Sequence, residues 1–482
     1  MKKVQAMLIS VIFAANLLAG CGGTASQPQK EPEAAVQNEA QAETEEQSGA
    51  ETEGQSGAET EGQSGAEAAA QTEAQPQTDQ SIPTQRELAP LAAHGRTLTG
   101  LRPAEKADAP SELSGEEVDR MDRAMRAYTP PADSLLVNNA ESFYYYEQMD
   151  KDEQAIYDAL LMCATDPVSA DNIVLASVSV DPASDEFLEK QFVAYYGLLY
   201  DHPELFWLYN GSESDISLAA PYEQPGNGSY QVYFYFEKPF EEFETQMTEF
   251  NRAVDEFLDQ IDLSASDAEI ARQIHDKLIE EVTYNDAVMQ DTSEAGFRSL
   301  AHTAYGALVK DENGNANCAV CDGYSQAYVY LLEQAGINAV MIVGVAGNTS
   351  GDTGGHAWTA VELDGEWYEV DATWDDMGSL DNAVESIREE DEFSYNYYRE
   401  ALDNAEYREK LEHYLCNITT PEIEHFVPDD YFNYVTADQQ YIINLTDESV
   451  HVRASDETSG YEIYGLLMDS APVATGTLYS IR

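Results

Sequence analysis

Apolar positions are distributed unevenly along the chain. Lys2 and Lys3 precede an apolar run over 4–18, broken by Gln5 and Asn16. From 22 to about 80 almost no large apolar residue occurs, and beyond 131 apolar positions return with the periods of helices and strands. Ile156, Leu160 and Leu161 place a helix over 152–164. A strand over 173–180 and a helix over 187–200 follow, then a short aromatic strand at 206–209. Pro225-Gly226-Asn227-Gly228 marks a turn before β-formers at 230–236. Helices follow near 240–261 and 267–282, the second with Ile270, Ile274, Leu278 and Val282 on one face.

The pattern is most informative over 304–376. Tyr324, Ala327, Tyr328, Leu331, Leu332 and Ala335 recur at helical steps and predict an amphipathic helix closed by Gly336. Cys321 then stands at or just before its N-terminus, where the macrodipole and free N–H groups favour a thiolate. An almost unbroken apolar run at 339–345 suits a strand covered on both faces, and a polar loop follows at 347–355. Asp364-Gly365 is a favoured two-residue turn between strands 356–363 and 366–373. With Leu363 opposite Glu366, His356 falls opposite Thr373 and Asp371 opposite Trp358. His356 and Asp371 become diagonal neighbours on one face, roughly 7–8 Å apart. A thiol, an imidazole and a carboxylate so grouped are the nucleophile, base and orienter of cysteine acyl transfer.

The termini change the picture. A short positive region ahead of a brief apolar run reads as a secretory signal, too short for a comfortable membrane span. Leu18-Ala19-Gly20-Cys21 resembles a bacterial lipoprotein processing site, which implies cleavage before Cys21 and lipidation of that residue. The tract that follows carries copies of an eight-residue unit beginning at Gln47, Gln55 and, in degenerate form, Gln63. With no apolar positions it buries nothing and reads as a flexible tether. About 60 residues of such coil span roughly 40–45 Å. A capping pair, Ser114 and Glu117, predicts a short helix that ends before Pro130-Pro131.

The whole chain holds 24 Lys/Arg against 90 Asp/Glu, a formal charge of −66. From Pro131 onward the balance is 14 to 69, so the folded body is itself acidic. Nucleic acid is excluded as a partner on this ground, and so is docking on anionic lipid through a basic patch. The 5 cysteines are too few and scattered for a disulfide scaffold.

Cys321-Asp322-Gly323-Tyr324-Ser325, His356-Ala357-Trp358 and Trp367-Tyr368-x-Val370-Asp371-x-Thr373-Trp374-Asp375-Asp376 resemble the transglutaminase-like superfamily. His275-Asp276 and 303–308 resemble stretches leading into that family's Cys helix. The resemblance implies an α+β, papain-like core of helices on an antiparallel sheet, with Cys321 as nucleophile, His356 as base and Asp371 as orienter. The superfamily includes cross-linkers, proteases and amidases.

Cys318-x-x-Cys321 also fits redox exchange or half a zinc site, but no second Cys pair completes four ligands. Cys163 reads as core, and His275 and His302 as structural. Trp358 and Trp367 either wall the cleft or pack the hairpin. Asp322, Asp375 and Asp376 read as chance clustering in an acidic chain.

The expected organisation is a signal at 1–20, a disordered acidic tether at 21–110, a mixed α/β region at 111–262, a catalytic domain at 263–425 and a small β region at 426–482. The expected function is a lipid-anchored enzyme on the bacterial cell surface, attached only through Cys21. It attacks a Gln carboxamide or peptide bond of a protein or cell-wall peptide through a thioester, with no cofactor or metal. The alternative is a non-catalytic surface-displayed binding protein that keeps the fold.

Overall fold

The computed structural model describes residues 115–420 apart from 130, 132–134, 141, 210–221, 224–227, 237–239, 292–295, 297–298, 312, 349–352 and 389–391. Beyond 420 it describes 434–435, 442–443, 449–453, 467–468, 470–476 and 478–481. The signal, Cys21, the tether and the Ser114 cap lie outside the described residues. No described helix is long and apolar enough to cross a membrane.

Among the described residues helix α1, Gly115–Ala127, comes first. Helix α2, Lys151–Cys163, opens on a capping box in which the Asp150 carboxylate accepts backbone N–H groups and Glu153 reaches back. Strand β1, Val174–Val178, alternates buried and exposed residues. Helix α3, Asp185–Asp201, is capped by Ser184. Strand β2, Tyr230–Phe234, pairs antiparallel with β1 on one side and with Tyr222–Glu223 on the other.

The aromatic strand expected at 206–209 is a helical turn, Phe206–Tyr209. Pro203 begins a 3-10 turn that runs straight into it. Four consecutive apolar residues carry no period to separate strand from helix, and proline's fixed φ starts the turn. Phe206 and Trp207 are buried, with Trp207 stacked on Phe240 at 5.6 Å.

Helix α4, Phe243–Leu258, and helix α5, Asp267–Glu281, follow as expected. Ser266 and Glu269 form the capping box of α5, and Ile270, Ile274 and Leu278 are buried on its inner face. Helix α6, Cys321–Gln334, is buried from Cys321 through Glu333. The sequence predicts a two-faced helix, but the N-terminal region covers its second face. The Tyr330 hydroxyl donates to the Val137 carbonyl at 2.5 Å. Gly336, at φ +82°, lets the chain leave the helix in a left-handed conformation.

Strands β3 (Ala339–Asn348), β4 (Thr353–Leu363) and β5 (Glu366–Val370) form an antiparallel meander against which α6 packs. Asp364 and Gly365, at φ +55° and +82°, make the tight turn, and Leu363 faces Glu366 as the sequence requires. The second strand stops at Val370 instead of 373, so the expected pairs of His356 with Thr373 and of Asp371 with Trp358 do not form. The Asp371 carboxylate accepts from the N–H groups of Thr373 and Trp374 and turns the chain into a short helix, Ala372–Asp375.

Strand β6, Ser449–Arg453, completes the sheet in the order β6-β3-β4-β5, antiparallel to β3 with His451 opposite Ala346. The region 426–482 therefore contributes a strand to the sheet that carries the candidate triad. The remaining short strands there, such as Tyr434–Val435 and Ile442–Ile443, agree with the β character of its sequence.

Candidate active site

Cys321 is the first residue of α6, and its thiol is buried and hydrogen-bonded to His356. Close packing seats this helix end. A Cβ on Gly323 would lie 2.3 Å from the Ala301 carbonyl oxygen, so glycine is required for α6 to approach that backbone.

His356 lies on β4 opposite Gly344 of β3, which presents no side chain beside the ring. Its Nε2 is 2.6 Å from Oδ2 of Asp371, which leaves Nδ1 to face the thiol. The aromatic rings of Trp358 and Trp374 flank the imidazole, with centroids 6.1 and 5.0 Å away. Asp371 is fixed by its own cap. Oδ1 accepts from the Thr373 and Trp374 N–H groups at 3.1 and 3.2 Å, and its backbone N–H donates to the Leu415 carbonyl at 3.2 Å. The structure thus brings Cys321, His356 and Asp371 together. The capping turn at Asp371, rather than a continued ladder, carries the carboxylate to the ring.

Electrostatics suit an ion pair. Burial pushes the His356 pKa down, but the Asp371 carboxylate and its hydrogen bond, with the Cys321 thiol adding to them, hold it up at about 10. Burial pushes Asp371 up, but His356 first and then His451 outweigh it and hold the carboxyl well below its ordinary value. The imidazolium is the form this site stabilises.

His451 is the residue that sequence reasoning missed. It comes from β6, and its Nε2 meets the same Oδ2 of Asp371 at 2.8 Å. Its ring centroid is 5.5 Å from that of His356 and 5.0 Å from those of Trp358 and Trp374. No local motif marks it, because 80 residues separate it from Asp371. The pairing of β6 with β3 makes the connection.

The other singled-out residues disperse. Asp322 holds His302, with Nδ1 2.8 Å from Oδ2. Asp375 faces His275 at 3.2 Å, and Asp376 accepts from the Tyr324 hydroxyl at 2.6 Å. The three acids serve three different partners. Cys163 is core, and its thiol donates to the Phe234 carbonyl. Cys318, on the short strand Cys318–Ala319, is half-buried and in no disulfide. Trp358 and Trp367 are both buried. Among the described residues, His356, Asp371 and His451 form one group whose ligand atoms lie close enough together to hold a metal, and His275, Asp276 and His413 form another.

Comparison with known proteins bears on residues around this site. Residues 255–372 match the sequence model of the Transglutaminase-like superfamily. The kyphoscoliosis peptidase of Homo sapiens is 26% identical over 140 residues, covering 28% of this chain and 19% of its own length. The chain thus spans about a fifth of that curated relative. A solved structure described as the crystal structure of a TGase aligns over 33% of this chain and 44% of its own, at 16% identity and a TM-score of 0.22.

Proposed function

We propose, for a chain whose residues 255–372 form a transglutaminase-like domain, a cysteine acyl-transfer activity on amides. The observation that carries this reading is the Cys321 thiol at a helix N-terminus, bonded to a histidine whose Nε2 is held 2.6 Å from a buried, lowered carboxyl. His356 takes the thiol proton at Nδ1, and the thiolate attacks the amide carbon. The tetrahedral adduct collapses to a thioester as the imidazolium gives its proton to the departing nitrogen. Water or an amine, deprotonated by His356, then attacks the thioester and restores the thiol. Asp371 keeps Nε2 protonated throughout, so Nδ1 is the nitrogen that takes up and returns the proton.

The substrate is a protein Gln carboxamide or a peptide bond, the latter supported by the peptidase relative. The test offers Gln-containing peptides and cell-wall peptide fragments and traps the acyl-enzyme for mass analysis. An acyl mass on the Cys321 peptide, absent in Cys321→Ala, supports the reading. No adduct from any member of the panel counts against it.

The domain sits at the bacterial cell surface, tethered by a lipid on Cys21, as the motif before that residue suggests. Wild type should partition into the detergent phase and Cys21→Ser into the aqueous phase. Equal aqueous partitioning would remove the anchor.

A non-catalytic binding role is the second reading, favoured by one observation: Cys321 and His356 are fully buried. Alkylation of Cys321 at neutral pH in the folded chain would reject it.

A further inference from the structure

The second imidazole cluster lies on the face of α5 that packs against the segment around 413–416. Asp276 Oδ1 is 3.0 Å from His275 Nδ1 and 2.7 Å from His413 Nε2. These three ligand atoms lie within 4.8 Å of one another. A tetrahedral ion bound at about 2.0–2.1 Å spaces its ligand atoms roughly 3.3 Å apart, so the two separations from Asp276 need only a few tenths of an ångström of expansion to match it.

The outer partners carry the argument. His275 Nε2 meets the buried Asp375 Oδ2 at 3.2 Å, and His413 Nδ1 meets the Glu409 carbonyl at 2.6 Å. A carbonyl oxygen only accepts, so His413 Nδ1 carries its proton there. Its Nε2 then turns either a lone pair or a second proton towards a carboxylate. Arg272 braces the other Asp276 oxygen at 3.6 Å. Metal-binding histidines characteristically donate their second N–H to a carboxylate or backbone carbonyl, and their carboxylate partners are themselves held. All three supports are present here.

With an ion among the three side chains each ring needs a single N–H, His275 donating to Asp375 and His413 to the Glu409 carbonyl.

We propose that His275, Asp276 and His413 bind a divalent transition-metal ion of the zinc class. Two imidazoles and one carboxylate suit such an ion. The Asp276 side chain is 44% exposed, which gives the ion an entry and leaves room for water as a fourth ligand. The formal charge of −66 raises the local concentration of cations. The ion would clamp α5 to the segment that seats the triad, since Leu415 donates to Asp375 at 2.8 Å and accepts from Asp371. The set is invisible in sequence because 137 residues separate Asp276 from His413.

The test uses Zn2+ alone on the folded, chelator-treated chain, in excess Mg2+ to mask the acidic surface. A His451→Gln background disables the other group of metal-ligating side chains, and Cys321→Ser removes the thiol beside it. Titration calorimetry should show one Zn2+ per chain, and the melting temperature should rise with Zn2+. Co2+ should give the visible absorption of a tetrahedral site. His413→Gln and the near-isosteric Asp276→Asn should each weaken binding at least a hundredfold. Asp276→Asn changes a partly exposed group, so its circular dichroism should match the parent and it decides the question even if His413→Gln unfolds. Absence of Zn2+-dependent stabilisation, or equal affinity in folded Asp276→Asn, would show a plain hydrogen-bonded cluster and overturn the site.

Discussion

Asp371→Asn separates an oriented base from a merely packed histidine. Oδ1 of Asp371 accepts from the N–H groups of Thr373 and Trp374 at 3.1 and 3.2 Å. An asparagine must keep its carbonyl there, so its NH2 takes the position of Oδ2, now 2.6 Å from His356 Nε2. The amide then donates to Nε2, and the proton of the neutral ring moves to Nδ1, the nitrogen facing Cys321. A ring in that tautomer cannot accept the thiol proton. The carboxylate and its hydrogen bond are the main forces that, against burial, hold His356 at about 10. With them gone and burial retained, the ring should fall to or below its ordinary value of about 6.5. That is on the order of 5 kcal/mol of imidazolium stabilisation lost. The same change in a Ser-His-Asp site costs about 10⁴ in turnover, and a loss of that order is expected here. The thiol itself is read by iodoacetamide labelling of Cys321 against pH, with Cys318→Ser as background. Cys163 and Cys416 stay silent near neutral pH, because burial pushes both thiols up, Cys416 to about 11. The midpoint is the readout, since a thiolate gains nucleophilicity as its pKa rises, with a Brønsted slope of about 0.4–0.5. Wild type should label with a midpoint well below the free value of about 8.5, and Asp371→Asn at or above it. Equal midpoints in the two proteins would refute the reasoning.

His451→Phe removes one of the two imidazoles sharing Asp371 Oδ2, so the carboxylate should hold His356 more strongly. The His356 titration followed by NMR should move upwards, with His451→Gln between Phe and wild type; a downward move would contradict the sharing. Gly323→Ala should destabilise by about 1–3 kcal/mol, because its Cβ would meet the Ala301 carbonyl at 2.3 Å. An unchanged melting temperature would mean that α6 is not seated against that backbone. The pairing of His356 should also leave a pH signature. Its folded pKa is raised to about 10, so its stabilisation is full below the unfolded value of about 6.5 and is lost as pH rises through 10. The gap in melting temperature between wild type and His356→Gln should therefore narrow from pH 6 to pH 10; a gap that widens would reverse the sign of the coupling.

Legibility followed sequence distance. The helices over 152–164 and 267–282, the Asp364-Gly365 turn and the Cys321 helix are written in residues a few positions apart, and each appears as read. The aromatic turn at 206–209 was misread because four apolar residues have no period and the deciding signal, Pro203, lies before them. The strand expected to run to 373 ends at Val370 because Asp371 spends its carboxylate on two backbone N–H groups, a local bond that competes with the ladder. His356 and Asp371 were still placed together correctly, since 15 residues and one tight turn leave few other arrangements.

Long-range pairing is where pattern reading stopped, and it alters what the functional unit is. The stretch matching the superfamily ends at residue 372, yet much of what holds its carboxylate lies beyond that point. The Asp371 N–H is bonded to Leu415, Val370 bridges to Cys416, and the Asn417 N–H donates to Glu369. His451 reaches Asp371 from a strand that pairs with β3, on the side away from β4. Each of these contacts fixes either the position of the carboxylate or the direction of its lone pairs, and the tautomer of His356 depends on both. A chain cut after the matched stretch would keep Cys321, His356 and Asp371 in its sequence but lose the bonds that orient the third of them. The proposed chemistry therefore calls for a unit reaching at least to Arg453, in which strand β6 is part of the candidate site.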